Sequence, residues 1–146
     1  VVGVASRDLL EPMAQALRML GCHGALVVHG TDGLDEISLS QVTEGIRLDG
    51  EGNLHRWRTA PSELDMEAVE VSELVGGDAV ENAGILREIL EGKVGPKTDA
   101  TALNAGAALW ITGKEISFNQ GVAHARSILK EGKAAALLDE IVAASK

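Results

Sequence analysis

The chain has 146 residues, 45% of them apolar and 24% charged, enough for one domain with a packed core and short for two. Its 22 acidic against 13 Lys and Arg residues leave a net charge of −9, which speaks against nucleic acid as a partner, because affinity there comes from basic side chains that displace phosphate counterions. No apolar run approaches the roughly 20 residues of a bilayer-spanning helix, and a single cysteine, Cys22, excludes an internal disulfide and fits a reducing, cytoplasmic setting.

In chain order, Val1-Val2-Gly3-Val4 predicts a strand. With no Met, basic leader or signal pattern it reads as the middle of a strand rather than the start of a protein, and the chain as the C-terminal part of something longer. From about Ser6 to Leu20 the apolar positions Leu10, Met13, Ala14, Leu17 and Leu20 recur at helical spacing, and Gly21 is a natural stop. Pro12 leaves the start of that helix open. Gly24-Ala25-Leu26-Val27-Val28 predicts a buried strand, so strand, helix and strand form a βαβ unit with parallel strands. His29-Gly30-Thr31-Asp32-Gly33-Leu34-Asp35-Glu36 follows as a polar loop, and Ile46–Leu48 with Leu54–Thr59 predicts an antiparallel hairpin turning at Asp49-Gly50-Glu51-Gly52-Asn53. Residues 62–77 are acidic and irregular, with Val69, Val71 and Leu74 as anchors.

The rest is helical. Asp78 and Glu81 form a capping box ahead of a helix with Ala83, Leu86, Ile89 and Leu90 on one face, ending at Gly92. Asp99 is expected to cap a helix to about Thr112, so rich in Ala and Gly that it reads as buried all round. Ser117 and Gln120 open a helix with Val122, Ala125, Ile128 and Leu129 inward, and residues 133–145 pack Leu137, Leu138, Ile141 and Val142. The fold class is therefore α/β: a mostly parallel sheet with flanking helices and an antiparallel hairpin, and a helical C-terminal half.

Chemistry concentrates in the loop after the second strand. In open α/β sheets ligands gather beyond the carboxyl ends of the strands, and Asp35-Glu36 there, on a loop loosened by Gly30 and Gly33, suits a hard cation; an acidic turn in solvent or helix-capping is the alternative. His29, at a strand end, reads as a hydrogen-bonded structural group. Gly76-Gly77-Asp78 reads as a cap because no basic neighbour supports a phosphate site. His55-Arg56-Trp57-Arg58 reads as the exposed face of an edge strand with one ring packed inward, and Cys22, with no activating cation beyond His23, reads as inert.

Several strings then converge on one family. His29-Gly30 with Asp32-Gly33-Leu34-Asp35-Glu36-Ile37-Ser38, Gly76-Gly77-Asp78-Ala79 with Asn82-Ala83, Gly95-Pro96 with Asp99 and Leu103-Asn104-Ala105-Gly106-Ala107-Ala108-Leu109, and Gly113-Lys114 with Gly121-Val122-Ala123 and Ala125-Arg126 resemble, in order and spacing, the motifs of anthranilate phosphoribosyltransferases. The resemblance implies a two-domain enzyme of tryptophan biosynthesis, usually a homodimer, that transfers the 5-phosphoribosyl group from phosphoribosyl pyrophosphate to anthranilate. It implies Mg2+ held by Asp35 and Glu36; adjacent side chains in extended backbone point to opposite sides, so the pair serves one ion through waters or contacts two nearby ions, the longer Glu36 being the one that reaches between two sites. The family's GTGGD pyrophosphate loop and its anthranilate-binding segments are absent from residues 1–146. The chain is thus expected to be the C-terminal part of the catalytic domain, without catalytic residues of its own, its substrate-binding residues lying upstream of Val1, inactive in isolation and poorly soluble. A related pyrimidine nucleoside phosphorylase or a non-catalytic α/β module are the alternatives.

Overall fold

The computed structural model describes residues 1–145. Four strands, β1 (Val2–Gly3), β2 (Ala25–Gly30), β3 (Thr43–Leu48) and β4 (Leu54–Thr59), lie side by side in that order. β1 pairs parallel with β2, whereas β2–β3 and β3–β4 are antiparallel. The α/β class, the hairpin and the helical C-terminal half are as the sequence predicts, but within these residues the sheet is mixed, with one parallel ladder. The reason is local: the loop after β2 returns the chain directly alongside it, Gly30 opposite Thr43, with no crossover helix to restore the direction.

The one crossover is α1 (Leu10–Met19), preceded by a 3-10 turn at Arg7–Leu9 that takes the place of the first helical turn expected from Ser6. Pro12 falls in the first turn of α1, where a missing N–H costs nothing. Gly21, at φ +79°, ends the helix, with Cys22 N donating to Leu17 O and Gly21 N to Arg18 O. α1 buries Leu10 and Ala14 against Val4, Val27 and Ile46 on one face of the sheet, while Met13 and Leu20 stay exposed.

The opposite face carries the main core. Leu26 and Val28 of β2 meet Leu103 and Ala107 of α3 (Pro96–Ile111) and Phe118 and Val122 of α4 (Phe118–Lys130), with Ile37, Leu39 and Met66 from the connecting loops. Trp57 of β4 turns inward here, edge-on to Phe118 at 5.2 Å and 6.1 Å from Trp110. The scarce aromatics thus gather at one corner, and Arg47 lies 4.8 Å over the Trp110 ring. α3 buries Ala102, Leu103, Gly106 and Ala107 but exposes Ala105 and Ala108, so it is buried on one side rather than all round.

Helix starts separate expectation from outcome. Asp78 caps α2 (Ala79–Leu90) as expected, accepting from Val80 N and Glu81 N, both at 2.9 Å. Ser117 likewise accepts from Gln120 N at 3.3 Å. Asp99 is not a cap. Pro96 occupies the first position of α3 behind Gly95, which places Asp99 one turn in, where it accepts two bonds from the Arg126 guanidinium of α4 at 2.7 and 3.1 Å. Proline is preorganised for a helix start, and here it prevails over the better side-chain cap. α5 (Lys133–Ala144) and α2 bury no residue fully: Leu86, Leu137, Ile141 and Val142 remain exposed, against the packing expected of them, because the remaining elements do not reach that side. No helix among the described residues is long and apolar enough to cross a membrane.

Candidate functional site

β2 ends at Gly30, and the chain turns at once. Gly33 N donates to Gly30 O at 2.9 Å and Gly30 N to Leu34 O at 2.8 Å, a reversal that needs the positive φ of +95° at Gly33. Asp32 pins this turn by accepting from Leu34 N at 3.2 Å, and its other oxygen accepts from the Ser38 hydroxyl at 2.5 Å. Ser38 is buried, and its oxygen also accepts from Ser40 N and Gln41 N, while its own N–H donates to the Thr43 hydroxyl at 2.8 Å. Buried polar groups must find partners, and these bind residues 32–43 into one hydrogen-bonded unit.

Asp35 and Glu36 sit on the outer curve of that unit. Asp35 packs its carbonyl against Gly3 of β1 so closely that a Cβ on Gly3 would collide with it. One residue past Glu36, Ile37 plunges into the core, 2% exposed, and its N–H donates to the Asn104 side-chain oxygen of α3 at 3.0 Å. The two acidic side chains are themselves exposed. Glu36 stands with Leu34 and Ile37 at one edge of a groove of about 680 Å³, whose floor and far wall are α2 and α3, including Ile85, Ala100 and Lys97.

The electrostatics are those of an uncompensated pair. Partial desolvation at the groove pushes the Glu36 carboxyl above its ordinary value, and the neighbouring Asp35 adds to that. None of the ion pairs among the described residues engages Asp35 or Glu36. Two adjacent carboxylates without a cation gain from a divalent ion. No group of three or more His, Cys, Asp or Glu side chains forms a metal cage among the described residues; Asp35 and Glu36 offer two carboxylates, the donor type that Mg2+ takes alongside water and phosphate oxygens.

The remaining candidates resolve as structural. His29 is half-buried, with Nδ1 2.9 Å from Val4 O, tying β2 to the chain beyond β1. Gly77 exchanges two bonds with Asn82, N–H to the side-chain oxygen at 2.9 Å and carbonyl from the side-chain nitrogen at 2.8 Å, and serves the start of α2. His55, Arg56 and Arg58 of the edge strand β4 are exposed, with His55 contacting Asp49 at 2.7 Å. Cys22 is free and exposed. Composition and spacing gave no warning of Asp32, Ser38 and Asn104 as the residues that fix the loop. The available signal was Asn104, an amide in the middle of an Ala-rich run.

The family model described as glycosyl transferase family, a/b domain, matches residues 1–135. The chain belongs to this family. Among relatives in the family, an anthranilate phosphoribosyltransferase of Desulfatibacillum aliphaticivorans is 45% identical over 142 residues, covering 97% of this chain and 42% of the relative. The crystal structure of anthranilate phosphoribosyltransferase from Thermus thermophilus superimposes with a TM-score of 0.86 at 40% identity, over 98% of this chain and 42% of that one. The enzyme from Saccharomyces cerevisiae, solved in complex with PRPP and Mg, does so with 0.83 at 26% identity, over 94% and 40%. The chain thus spans about 42% of the length of the curated relatives it matches.

Proposed function

We propose that this chain is the C-terminal part of the catalytic domain of an anthranilate phosphoribosyltransferase, which moves the 5-phosphoribosyl group from phosphoribosyl pyrophosphate to the amine of anthranilate and releases pyrophosphate. In this reading Asp35 and Glu36 hold Mg2+. The observation that carries it is the placement of two adjacent carboxylates, outside every ion pair among the described residues, on a hydrogen-bonded loop beyond the carboxyl end of β2, with Glu36 at the edge of a groove. Membership of the family, and the name shared by its matched relatives, supply the substrates.

When bound, the ion neutralises charge on the departing pyrophosphate without proton transfer. The chain's own contribution is positional. Gly3 and the Asp32–Ser38 bonds set the height of the acidic loop above the sheet, and Ile37, locked in the core, fixes where Glu36 leaves it. No acid or base from this chain takes part in the reading, and residues 1–146 alone bind metal without transferring the ribosyl group.

The test is the Mg2+ dependence of phosphoribosyl transfer in the complete polypeptide that carries this chain. An Asp35→Asn, Glu36→Gln double variant is expected to lose about 10²-fold or more in rate at limiting Mg2+, since charge stabilisation by a metal is worth several kcal/mol and each 1.36 kcal/mol is tenfold. Wild-type turnover by the double variant under those conditions overturns the assignment.

A further inference from the structure

Among the described residues the two acids of the loop make no side-chain bond that fixes them, yet a metal site needs its ligands held in place. Something must therefore hold the backbone from which they project. On the N-terminal side the answer is contact, the Asp35 carbonyl against Gly3. On the C-terminal side it is one side chain, 67 residues away in sequence. Asn104 Oδ1 accepts the Ile37 N–H at 3.0 Å, its Nδ2 reaches the Ile37 carbonyl at 3.4 Å, and the same Nδ2 donates to Ala100 O at 3.1 Å within α3. The amide thus grips both polar groups of the residue that follows Glu36 and anchors that grip to the helix lining the far side of the groove. The oxygen carries the clamp, by its bond from the Ile37 N–H; the nitrogen meets two carbonyls, the one on Ile37 only at 3.4 Å.

We infer that Asn104 is a positioning residue for the Asp35–Glu36 metal site, holding Glu36 at its working distance from α3 by clamping the Ile37 peptide; this rests on the reading of the two acids as Mg2+ ligands. The loop lies on the core through Ile37 and Leu39 in any case, and the Ser38 N–H on the Thr43 hydroxyl holds the peptide after Ile37, but hydrophobic contact is non-directional and leaves the Glu36–Ile37 peptide free to rotate. The amide removes that freedom. Groups that orient a metal ligand from behind typically cost 10–100-fold in metal affinity when removed, and a clamp acting through one peptide belongs at the low end.

Mn2+ alone serves as the probe, titrated into the full chain and followed by water-proton relaxation enhancement. Asn104→Ser is too short to span to Ile37 but keeps a hydroxyl able to bond back to the preceding turn of α3. Asn104→Asp keeps the acceptor for the Ile37 N–H. The Ser variant is expected to weaken Mn2+ binding about tenfold and to speed exchange of the Ile37 amide hydrogen, whereas the Asp variant keeps the affinity within about threefold of wild type. A merely structural role would lower the unfolding temperature of both variants and leave the Mn2+ titration unmoved. Faster Ile37 exchange in the Ser variant with unchanged Mn2+ affinity, or equal loss of affinity in both folded variants, overturns the inference while leaving the acids as ligands. Should the Asp35→Asn, Glu36→Gln variant bind Mn2+ as wild type does, the ligand reading itself fails and the clamp's role fails with it.

Discussion

Gly106 of α3 and Gly121 of α4 face each other where the two helices cross, and the prediction developed first is the effect of one added methyl group there. An ideal Cβ on Gly106 stands 2.5 Å from Val122 N, 2.6 Å from Val122 Cα and 2.8 Å from the Gly121 carbonyl carbon. All three are backbone atoms, so no rotamer change relieves the clash. Restoring ordinary contact near 3.5 Å moves the helices apart by about 1 Å, opening the core among Leu103, Ala107, Phe118 and Val122. Overpacking typically costs 1–3 kcal/mol, and a backbone-to-backbone collision belongs at the upper end. The better helix propensity of Ala returns about 1 kcal/mol. Gly106→Ala is thus expected to lose about 2 kcal/mol, or about 6–7 °C in Tm for a chain of this size. Gly84→Ala in α2 is the control, because a Cβ there meets nothing within 4 Å; it should gain about 0.5–1 kcal/mol. Thermal and urea unfolding followed by far-ultraviolet circular dichroism measures both. If Gly106→Ala proves as stable as Gly84→Ala, the crossing tolerates a wider spacing and the steric argument is wrong.

Three further outcomes follow from single contacts. Gly3→Ala drives a methyl group into the Asp35 carbonyl, and the displaced loop should raise the Mg2+ concentration for half-maximal activity of the complete enzyme, by up to about 10²-fold for a 1 Å shift; an unchanged Mg2+ curve refutes it. Asp78→Ala removes the bonds to Val80 N and Glu81 N and should cost about 1 kcal/mol, read by urea denaturation. Asp49 is held below the ordinary carboxylate range by hydrogen bonds from His55 first, then from Asn53 and Glu51. Its folded pKa lies below the unfolded one, so the unfolded chain binds the extra proton. The stability gap between wild type and Asp49→Ala is therefore expected to be full above about pH 4 and to shrink as pH falls below it. A gap that widens on acidification contradicts this.

How much of this was legible in the sequence depends on whether one segment or several decided the outcome. The hairpin was readable because alternation and a Gly-rich turn both lie within fourteen residues or so, a local signal; β3 and β4 pair in full register, Thr43 with Thr59 through Leu48 with Leu54. The acidic loop was readable for the same reason. Asp99 misled because its partner, Arg126, lies 27 residues on, and local capping logic cannot weigh a distant guanidinium. Leu137 and Ile141 form a proper helical stripe, yet periodicity states only that a face is apolar, not that anything covers it. The mixed sheet was unreadable while the direction of the return from residue 30 to 43 was unknown. Asn104 was visible as a letter but not as a contact, since its target is the peptide of Ile37 rather than any side chain with a pattern of its own.

The loop's construction gives the last step of the argument. Asp32 and Asp35 are three residues apart on the same turn, and the fold treats them oppositely. Asp32 is consumed: one oxygen takes the Leu34 N–H, the other the Ser38 hydroxyl. The Asp35 and Glu36 carboxylates are left without ion-pair partners among the described residues. An acidic turn that merely faced solvent would need no such division, because flexible acids separate and relieve their repulsion. Here Gly3 and Asn104 fix the backbone on either side, and partial desolvation, with the repulsion of Asp35 added to it, raises the Glu36 pKa. Fixed backbone with adjacent unpaired acids costs stability in the metal-free chain, and under the proposed reading a divalent cation relieves that cost. Mg2+ should accordingly raise the Tm of the wild-type chain in proportion to the logarithm of its concentration once above the Kd. It should leave the Asp35→Asn, Glu36→Gln chain unmoved, and equal stabilisation of both would place the ion elsewhere.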